Sequence, residues 1–291
     1  MRKTVVFTAL LLLGWPAPGK AAGPGIAVVA AENFYGDLAR QIGGDRVAVA
    51  SIMSNPDQDP HLFEASAQTA RDLAGARLVI YNGADYDPWM AKLMAASPAP
   101  NRVTIVVADL LHRKAGENPH LWYDPNAMPA AARQMAADLE TLDPAHKGDY
   151  EAHLAAFLGS LKPMDAKVAA LRRKYAGTPA TATEPVFGYM ADAIGLKMRN
   201  MRFQIAVMND AEPAASEVAQ FENDLRQHKV KLLVYNSQAT EDLAKRMRDI
   251  AVQSHVPVIG VTETEPPGMD YQQWMLTQLD ALQKALSAPV S

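Results

Sequence analysis

Residues 26–53 read IAVVAAENFYGDLARQIGGDRVAVASIM, and this stretch decides the fold class that we expect. The run at residues 26–30 is apolar on both faces, as in a strand that is buried within a sheet. A helical stretch follows at residues 33–42, and residues 47–53 have the pattern of the next strand. A helix between two such strands is typical of parallel α/β architecture, in which helices cover the sheet.

The same alternation of short apolar runs and helical stretches continues to the end of the chain. A long helical pattern at residues 144–175 separates two groups of strands. We therefore predict an α/β fold with two lobes of mainly parallel sheet. Further strands are predicted at residues 78–81, 103–107, 181–183, 203–207, 232–235 and 256–261, and further helices at residues 66–73, 89–96, 186–194, 214–227, 243–252 and 271–286.

The helical pattern at residues 144–175 is too long for one lobe of this chain. Its apolar residues recur at spacings of three and four, and a helix of this length would span about 45 Å. Pro163 lies inside it and should kink or interrupt it. We expect one long rigid connecting helix at residues 144–176, between an N-terminal lobe at residues 23–143 and a C-terminal lobe at residues 177–291.

The first residues have the pattern of a secretory signal peptide. Arg2 and Lys3 precede a short apolar run at residues 5–13, and small residues follow up to Gly23. That run is too short for a transmembrane helix, and no later stretch is long and apolar enough to be one. We expect residues 1–22 to be removed on export, with no stable insertion of the mature chain in a membrane.

The composition limits the compartments in which the protein could work and the partners that it could bind. The sequence has 291 residues and no cysteine, which argues against disulfides, thiolate metal ligands and lipid attachment through a cysteine. Without residues 1–22 it has 25 basic and 32 acidic residues, a formal charge of −7. A mildly acidic exported protein is a poor candidate for binding nucleic acid and a suitable one for binding cations. We therefore expect a soluble monomer in the periplasm, without a lipid anchor.

One tetrapeptide pattern occurs twice in the chain. Asp59-Pro60-His61-Leu62 and Asn118-Pro119-His120-Leu121 each place a histidine directly after a proline. Proline has a fixed φ and restricts the residue before it, so each imidazole leaves a stiff turn. A single copy favours an ordinary surface turn, whereas the repetition favours one site that is assembled from two loops.

Polar residues that directly follow strands supply further candidates. In open α/β sheets, ligands bind just beyond the carboxyl ends of the strands. Two imidazoles from one lobe and two carboxylates from the other would form a site for a divalent first-row metal, because both groups are good ligands for it. The residues that satisfy this rule are His61 and His120 in the first lobe and Glu184, Asn236, Gln238, Glu263 and Glu265 in the second.

Each candidate in the second lobe also has an ordinary structural explanation. Glu184 could cap the helix that follows it, since carboxylates are favourable at helix N-termini. Glu263 and Glu265 could belong to a solvated loop. The amides of Asn236 and Gln238 fit two roles equally well, the orientation of a ligand from an outer position and plain turn chemistry.

Several motifs of the chain together resemble one family. They are residues 31–37 (AENFYGD), both Pro-His turns, Glu184 with Phe187, Gly188 and Tyr189, and residues 261–267 (VTETEPP). On these motifs the mature chain resembles, over essentially its whole length, the periplasmic solute-binding proteins of zinc and manganese ABC importers. The resemblance implies two α/β lobes joined by one long rigid helix, with one metal ion between the lobes.

The resemblance also implies the ligands and the cargo. His61 and His120 match the two histidine ligands, and Glu184 stands where members of the family have histidine or glutamate. Glu263 stands where many members have aspartate, and Glu265, two residues on, is its rival for that role. The implied cargo is one divalent metal ion, manganese or zinc with iron as a third candidate. A membrane permease of an ABC importer would receive it.

Two other functions compete with metal transport. A secreted metal-dependent hydrolase would need an open coordination position and a general base. The sequence has neither a His-Glu-x-x-His motif nor a Gly-x-Ser-x-Gly motif. A surface adhesin is disfavoured by the expected lack of a lipid anchor. We therefore expect a binding protein and not an enzyme, and the ligand chemistry leaves manganese and zinc both open.

Overall fold

The computed structural model describes residues 25–54, 66–238 and 242–288. Within them the chain forms two four-stranded sheets in which all neighbouring strands are parallel. Helices connect the strands, so the predicted α/β fold is confirmed. None of the described helices is long and apolar enough to cross a membrane. The expected signal peptide and the first Pro-His turn, with His61, lie outside the described residues.

The first sheet and its helices form the first lobe. Its strands are β1 (Ile26–Glu32), β2 (Val47–Met53), β3 (Leu78–Tyr81) and β4 (Val103–Val106), in the spatial order β2-β1-β3-β4. Its helices are α1 (Asn33–Gly43), α2 (Ala67–Gly75), α3 (Pro88–Ala96), α4 (Val107–Leu110) and α5 (Ala127–Leu142). The strands predicted in this half are confirmed, with ends that shift only slightly.

The connection between the lobes is helical but broken once. Helices α6 (Lys147–Ser160) and α7 (Lys162–Tyr175) are separated by Leu161 alone. Pro163 lies in the first turn of α7, where its missing N–H removes no helical hydrogen bond, so the predicted interruption is confirmed. The lobe boundaries at residues 143 and 177 stay a prediction.

The second sheet and its helices form the second lobe. Its strands are β5 (Pro179–Ala182), β6 (Lys197–Met198), β7 (Leu233–Asn236) and β8 (Val258–Val261), in the spatial order β6-β5-β7-β8. Its helices are α8 (Gly188–Ile194), α9 (Met201–Met208), α10 (Ala215–Arg226), α11 (Asp242–Gln253) and α12 (Tyr271–Ser287). Helix α7 packs against α8 and α12, whereas α6 packs against α1 and α5. The helical connection is therefore shared between the two lobes.

One predicted strand is wrong, because residues 203–207 belong to helix α9. A strand would place Phe203, Ile205 and Val207 on one face, but Ile205 is 45% exposed while the other two are buried. Burial at positions i and i+4 follows the helical period. The helical arrangement packs Phe203 against Phe221 of α10, with 4.6 Å between the ring centroids. The apolar run is short enough to fit either period, which is why the sequence pattern misled.

Helix α5 has no counterpart among the predicted elements. It is rich in alanine, and its larger buried residues are Met128, Met135 and Leu139. Alanine is the best helix former, but its side chain is only weakly hydrophobic, so an apolar stripe made largely of alanine is hard to recognise in the sequence. Helix α5 packs against α1, α6 and the short turn Leu121–Tyr123 that follows His120. It therefore supports the second Pro-His turn from behind.

An aromatic cluster joins the two lobes. Trp274 of α12 lies 5.9 Å from Phe34 of α1 and 5.8 Å from Tyr123, measured between ring centroids. The hydroxyl of Tyr271 donates a hydrogen bond to the carbonyl of Trp122 at 2.8 Å. All five side chains are buried. Helix α12 of the second lobe is thus packed into the core of the first lobe, which limits how far the lobes can move apart.

We expect Phe203→Ala to lower the free energy of unfolding by about 3–5 kcal/mol, because it removes a fully buried ring from the second-lobe core. Ile205→Ala is the matched control, since this side chain is exposed, and it should change the free energy of unfolding by less than about 0.5 kcal/mol. Urea unfolding followed by circular dichroism measures both values. Equal losses in the two variants would contradict the helical period of α9.

Candidate metal centre

Two of the predicted ligands, one from each lobe, meet directly. His120 follows β4 after helix α4 and a loop, and Glu263 follows β8. The Nε2 atom of His120 lies 3.5 Å from Oε2 of Glu263. His120 is 1% exposed and Glu263 is 3% exposed. Both side chains therefore lie in a buried position beyond the carboxyl ends of strands, where α/β proteins bind their ligands.

Asn118 fixes the orientation of the His120 ring. Its Oδ1 atom lies 2.6 Å from Nδ1 of His120 and also accepts a hydrogen bond from the His120 backbone N–H at 3.2 Å. Because Oδ1 is an acceptor, the neutral ring has its proton on Nδ1 and presents the lone pair of Nε2 to Glu263. Nε2 makes no hydrogen bond with a described residue. A buried lone pair opposite a carboxylate is unfavourable by itself and fits a metal-ligating histidine.

The second lobe holds Asn118 in place. Nδ2 of Asn118 donates to the carbonyl of Pro185 at 2.7 Å, and the Tyr189 hydroxyl donates to the carbonyl of Asn118 at 2.7 Å. Gly188 leaves the necessary space, because a Cβ at this position would lie 2.8 Å from Nδ2 of Asn118. The segment that follows Glu184 therefore orients the histidine of the other lobe.

The two candidate carboxylates are joined by one amide. Nδ2 of Asn236, at the end of β7, donates to Oε1 of Glu184 at 3.1 Å and to Oε1 of Glu263 at 2.7 Å. All three residues are buried. The side chain of Glu184 makes no capping hydrogen bond with the 3-10 turn that follows it, so capping does not explain its position. Two buried carboxylates so close together repel each other, and a divalent cation would relieve that repulsion.

Gln238 holds the segment that carries Glu263. Its Oε1 atom accepts hydrogen bonds from the backbone N–H groups of Glu263 at 2.5 Å and of Thr264 at 3.2 Å. Its own backbone N–H donates to Oδ1 of Asn236 at 3.0 Å. Asn236 therefore contacts the candidate ligands and also takes part in a hydrogen-bonded turn. These are the two roles that the sequence left open for the amides of Asn236 and Gln238.

Glu265 has different neighbours from Glu263. Its backbone N–H donates to Oδ1 of Asn33 at 3.0 Å, and Nδ2 of Asn33 donates to the Glu265 carbonyl at 2.7 Å. Burial, followed by the charge of Asp37, raises the pKa of the Glu265 carboxyl to about 9. Of the two rival glutamates, Glu263 is the one in contact with His120.

The described residues assemble part of the predicted ligand set. His120 and Glu263 are in contact, and Glu184 is linked to Glu263 through Asn236. In the described part of the chain, no three histidine, cysteine or carboxylate side chains are arranged so that they could hold a metal ion by themselves. His61 lies outside this part, so the four-ligand set stays a prediction.

The sequence prediction missed several polar residues behind His120. Asn82 and Asp87 follow β3, and the ring of Tyr86 lies edge-on to the His120 ring with 5.9 Å between centroids. Burial, and then the charge of the neighbouring Glu263, raise the pKa of the Tyr86 hydroxyl well above its ordinary value. The strand-end rule identifies these residues when it is applied to β3.

We expect Asn236→Ala to lower the free energy of unfolding of the metal-free protein by about 1–3 kcal/mol, because two buried carboxylates lose a shared donor. Asn101→Ala is the matched control, since its side chain is exposed in a turn, and it should change the free energy by less than about 0.5 kcal/mol. Urea unfolding in the presence of a chelator measures both. A loss no larger than that of the control would contradict the role of the amide.

Comparison with known proteins agrees with the family resemblance of the sequence motifs. The family model described as "Zinc-uptake complex component A periplasmic" (ZnuA) matches residues 28–285. The manganese ABC transporter substrate-binding lipoprotein PsaA of Streptococcus mitis is 24% identical, and the match covers 97% of each chain. This relative is named a lipoprotein, which differs from the unanchored protein that we expected from the lack of cysteine.

Solved structures show the same fold. The periplasmic zinc-binding protein TroA of Treponema pallidum matches with a TM-score of 0.76 at 20% identity, over 91% of this chain and 100% of that one. A manganese-bound mutant of the periplasmic metal-binding protein of Candidatus Liberibacter asiaticus matches with a TM-score of 0.72 at 19% identity, over 89% of this chain and 98% of that one. The relatives are binding proteins of metal ABC transporters, which favours a binding function over the hydrolase. The chain belongs to the ZnuA family of periplasmic metal-uptake components.

Proposed function

We propose that this chain is a periplasmic solute-binding protein that captures one divalent transition metal ion, manganese or zinc, and delivers it to the permease of an ABC importer. The observation that carries the proposal is the contact between His120 and Glu263 across the two lobes. The buried Nε2 atom of His120 makes no hydrogen bond with a described residue, and it faces a carboxylate. A divalent cation at this point could bind both groups at once.

The proposed ligands are His61, His120, Glu184 and Glu263. His120 and the two glutamates are supported by the contacts of the buried site, in which Asn236 connects the carboxylates. His61 is included because it occupies the same place in its Pro-His turn as His120 does in the other. Two imidazoles and two carboxylates form a neutral set with a divalent ion, and four protein ligands close the site.

Capture and release in this fold involve small movements of the lobes. Hydrogen bonds cross from one lobe to the other on both sides of the site, for example from Asn118 to Pro185 and from the Tyr123 hydroxyl to the carbonyl of Thr262 at 2.8 Å. The Trp274 cluster packs the lobes together. The proposed release therefore follows docking on the permease and local opening of the site, without wide hinge closure.

The chemistry of the proposed ligands ranks the candidate metals but does not distinguish manganese from zinc. A set with two carboxylates is rich in hard oxygen ligands, which suits manganese and ferrous iron. Zinc binds more tightly than manganese at nearly any such site. We therefore propose manganese or zinc as the cargo, with iron third. We also propose that the mature protein is a monomer in the periplasm.

The proposal predicts that the chelator-treated protein binds one equivalent of manganese(II) or zinc(II). His120→Ala and Glu263→Gln should each weaken that affinity by more than the roughly 10- to 100-fold that follows loss of an outer partner, because each removes a ligand. Isothermal titration against each metal measures the affinity and the stoichiometry. A competing chelator extends the range to tight binding.

Two matched controls keep the result specific. His112→Asn changes an exposed histidine to a residue that tolerates the same left-handed backbone, and Glu212→Gln neutralises an exposed glutamate. Both should bind metal as the wild type does. Unchanged affinity in His120→Ala and Glu263→Gln would contradict the site. Turnover on a peptide or ester substrate that is lost in His61→Ala would contradict the function.

A further inference from the structure

A pair of buried carboxyl groups lies behind His120, and the proposed metal site does not use it. Glu32 is the last residue of β1 and is 0% exposed, and Asp87 directly precedes α3 and is also buried. The charge of Asp87 helps to raise the pKa of the Glu32 carboxyl, as it does for two carboxyl groups that lie near each other. Two adjacent carboxyl groups away from water cannot both be ionised without a large cost.

The hydrogen bonds show which of the two is the carboxylate. Oδ2 of Asp87 accepts from the backbone N–H of Asn82 at 2.7 Å, and Oδ1 accepts from that of Gly83 at 2.9 Å. Neither oxygen of Glu32 accepts a hydrogen bond from a described residue. Burial, followed by the charge of Asp87, raises the pKa of Glu32 well above its ordinary value, while burial raises the pKa of Asp87 to about 6. Glu32 is therefore the neutral acid of the pair.

Asp87 holds a turn that is unfavourable by itself. Gly83, Ala84 and Asp85 have φ values of 76°, 51° and 64°, so three consecutive residues are in the left-handed region and two of them are not glycine. Such residues persist only where surrounding contacts fix them. The two hydrogen bonds that Asp87 accepts at Asn82 and Gly83 are contacts of this kind.

The same turn leads directly to the candidate ligand. Nδ2 of Asn82 donates to the carbonyl of Pro119 at 2.8 Å, and Oδ1 of Asn82 accepts from the Tyr35 hydroxyl at 2.8 Å. Pro119 is the residue before His120. Buried hydrogen bonds therefore connect Asp87, through Asn82, to the turn that presents the imidazole.

We propose that Glu32 is a positioning residue of the metal site, which stays neutral and donates to Asp87 so that Asn82 holds the Pro119–His120 turn in place. The inference rests on the proposed function, because its consequence for binding concerns the same site. Glu32 does not itself contact the metal in this proposal. Outer partners of this kind affect metal affinity by fixing the direction of a ligand.

The neutral state of Glu32 also has a consequence for stability that does not depend on metal. The titratable groups that face Glu32 are Asp87 and Tyr86, from the loop after β3, and Tyr35 of α1. The folded chain keeps a proton on Glu32 that the unfolded chain releases above its ordinary pKa. The contribution of Glu32 to the free energy of unfolding is therefore complete at low pH and decreases as the pH rises towards the folded pKa.

Glu32→Gln separates the two roles of this side chain. The amide donates to Asp87 as the neutral acid does, but it takes up no proton on folding. The stability of Glu32→Gln relative to the wild type should therefore increase between about pH 5 and about pH 8, measured by urea unfolding of the metal-free proteins. The exposed control Glu212→Gln should show no such trend.

Metal binding tests the positioning role. Glu32→Ala and Asp87→Ala should weaken the affinity for manganese(II) and zinc(II) by about 10- to 100-fold, whereas Glu32→Gln should stay within about threefold of the wild type. At neutral pH the infrared difference spectrum between the wild type and Glu32→Gln should show the loss of one carbonyl stretch of a protonated carboxylic acid, while the stretch of Glu265, whose pKa is about 9, remains in both proteins. If Glu32→Ala does not fold, the metal affinity of Asp87→Ala and the measurements on Glu32→Gln still test the positioning role.

The outcomes distinguish this inference from the proposed function. A wild type that binds neither metal contradicts the proposed function, while the infrared band and the pH trend still test the neutral acid. A wild type that binds metal, with Glu32→Ala and Asp87→Ala equal to it, contradicts the positioning role. Absence of both this infrared difference between the wild type and Glu32→Gln and the pH trend contradicts the neutral state of Glu32.

Discussion

The burial of two carboxylates close to one imidazole explains how the groups around the candidate site are arranged. Glu184 and Glu263 share the amide of Asn236, and Glu263 faces the unprotonated side of His120. Taking charges out of water costs several kcal/mol per ion unless partners compensate. A shared neutral amide offsets only part of the cost of two carboxylates. A divalent cation offsets it far more effectively, and the surrounding hydrogen bonds keep the groups ready for it.

Parallel topology explains why groups so distant in sequence meet. In each sheet the carboxyl ends of all strands point to the same edge, so the loops that leave them converge. His120 follows β4 in the first lobe, whereas in the second lobe Asn236 is the last residue of β7 and Glu263 follows β8. The broken helical connection and the aromatic cluster around Trp274 then hold the two edges against each other.

The buried carboxyl groups differ in the donors that reach them. Asp87 accepts two backbone hydrogen bonds, and Glu184 and Glu263 share an amide. Glu32 receives none from the described residues, and its own neighbour is a carboxylate. Donors stabilise the ionised form, and burial without donors favours the neutral one. The same residue type therefore serves as a candidate ligand in one lobe and as a proton donor in the other.

The sequence predicted the strands of the first sheet and suggested the candidate ligands, because both follow from short-range patterns. Apolar runs marked every strand of the first sheet, and the repeated Pro-His turn marked His120. The pattern failed at residues 203–207, where a short apolar run fits the periods of strand and helix alike, and at the alanine-rich α5. Contacts across the lobes, such as Asn118 with Pro185, and the link from Asn236 to both glutamates depend on tertiary packing and have no local signal.

We propose that a metal ion lies between the lobes with His120 and Glu263 as ligands, and anomalous diffraction from crystals of the zinc-loaded protein would locate it. We expect one strong peak, about 2.0–2.2 Å from Nε2 of His120 and from carboxylate oxygens of Glu184 and Glu263, with the imidazole of His61 completing the shell. A peak elsewhere on the protein, or a metal whose ligands include neither His120 nor Glu263, would contradict it.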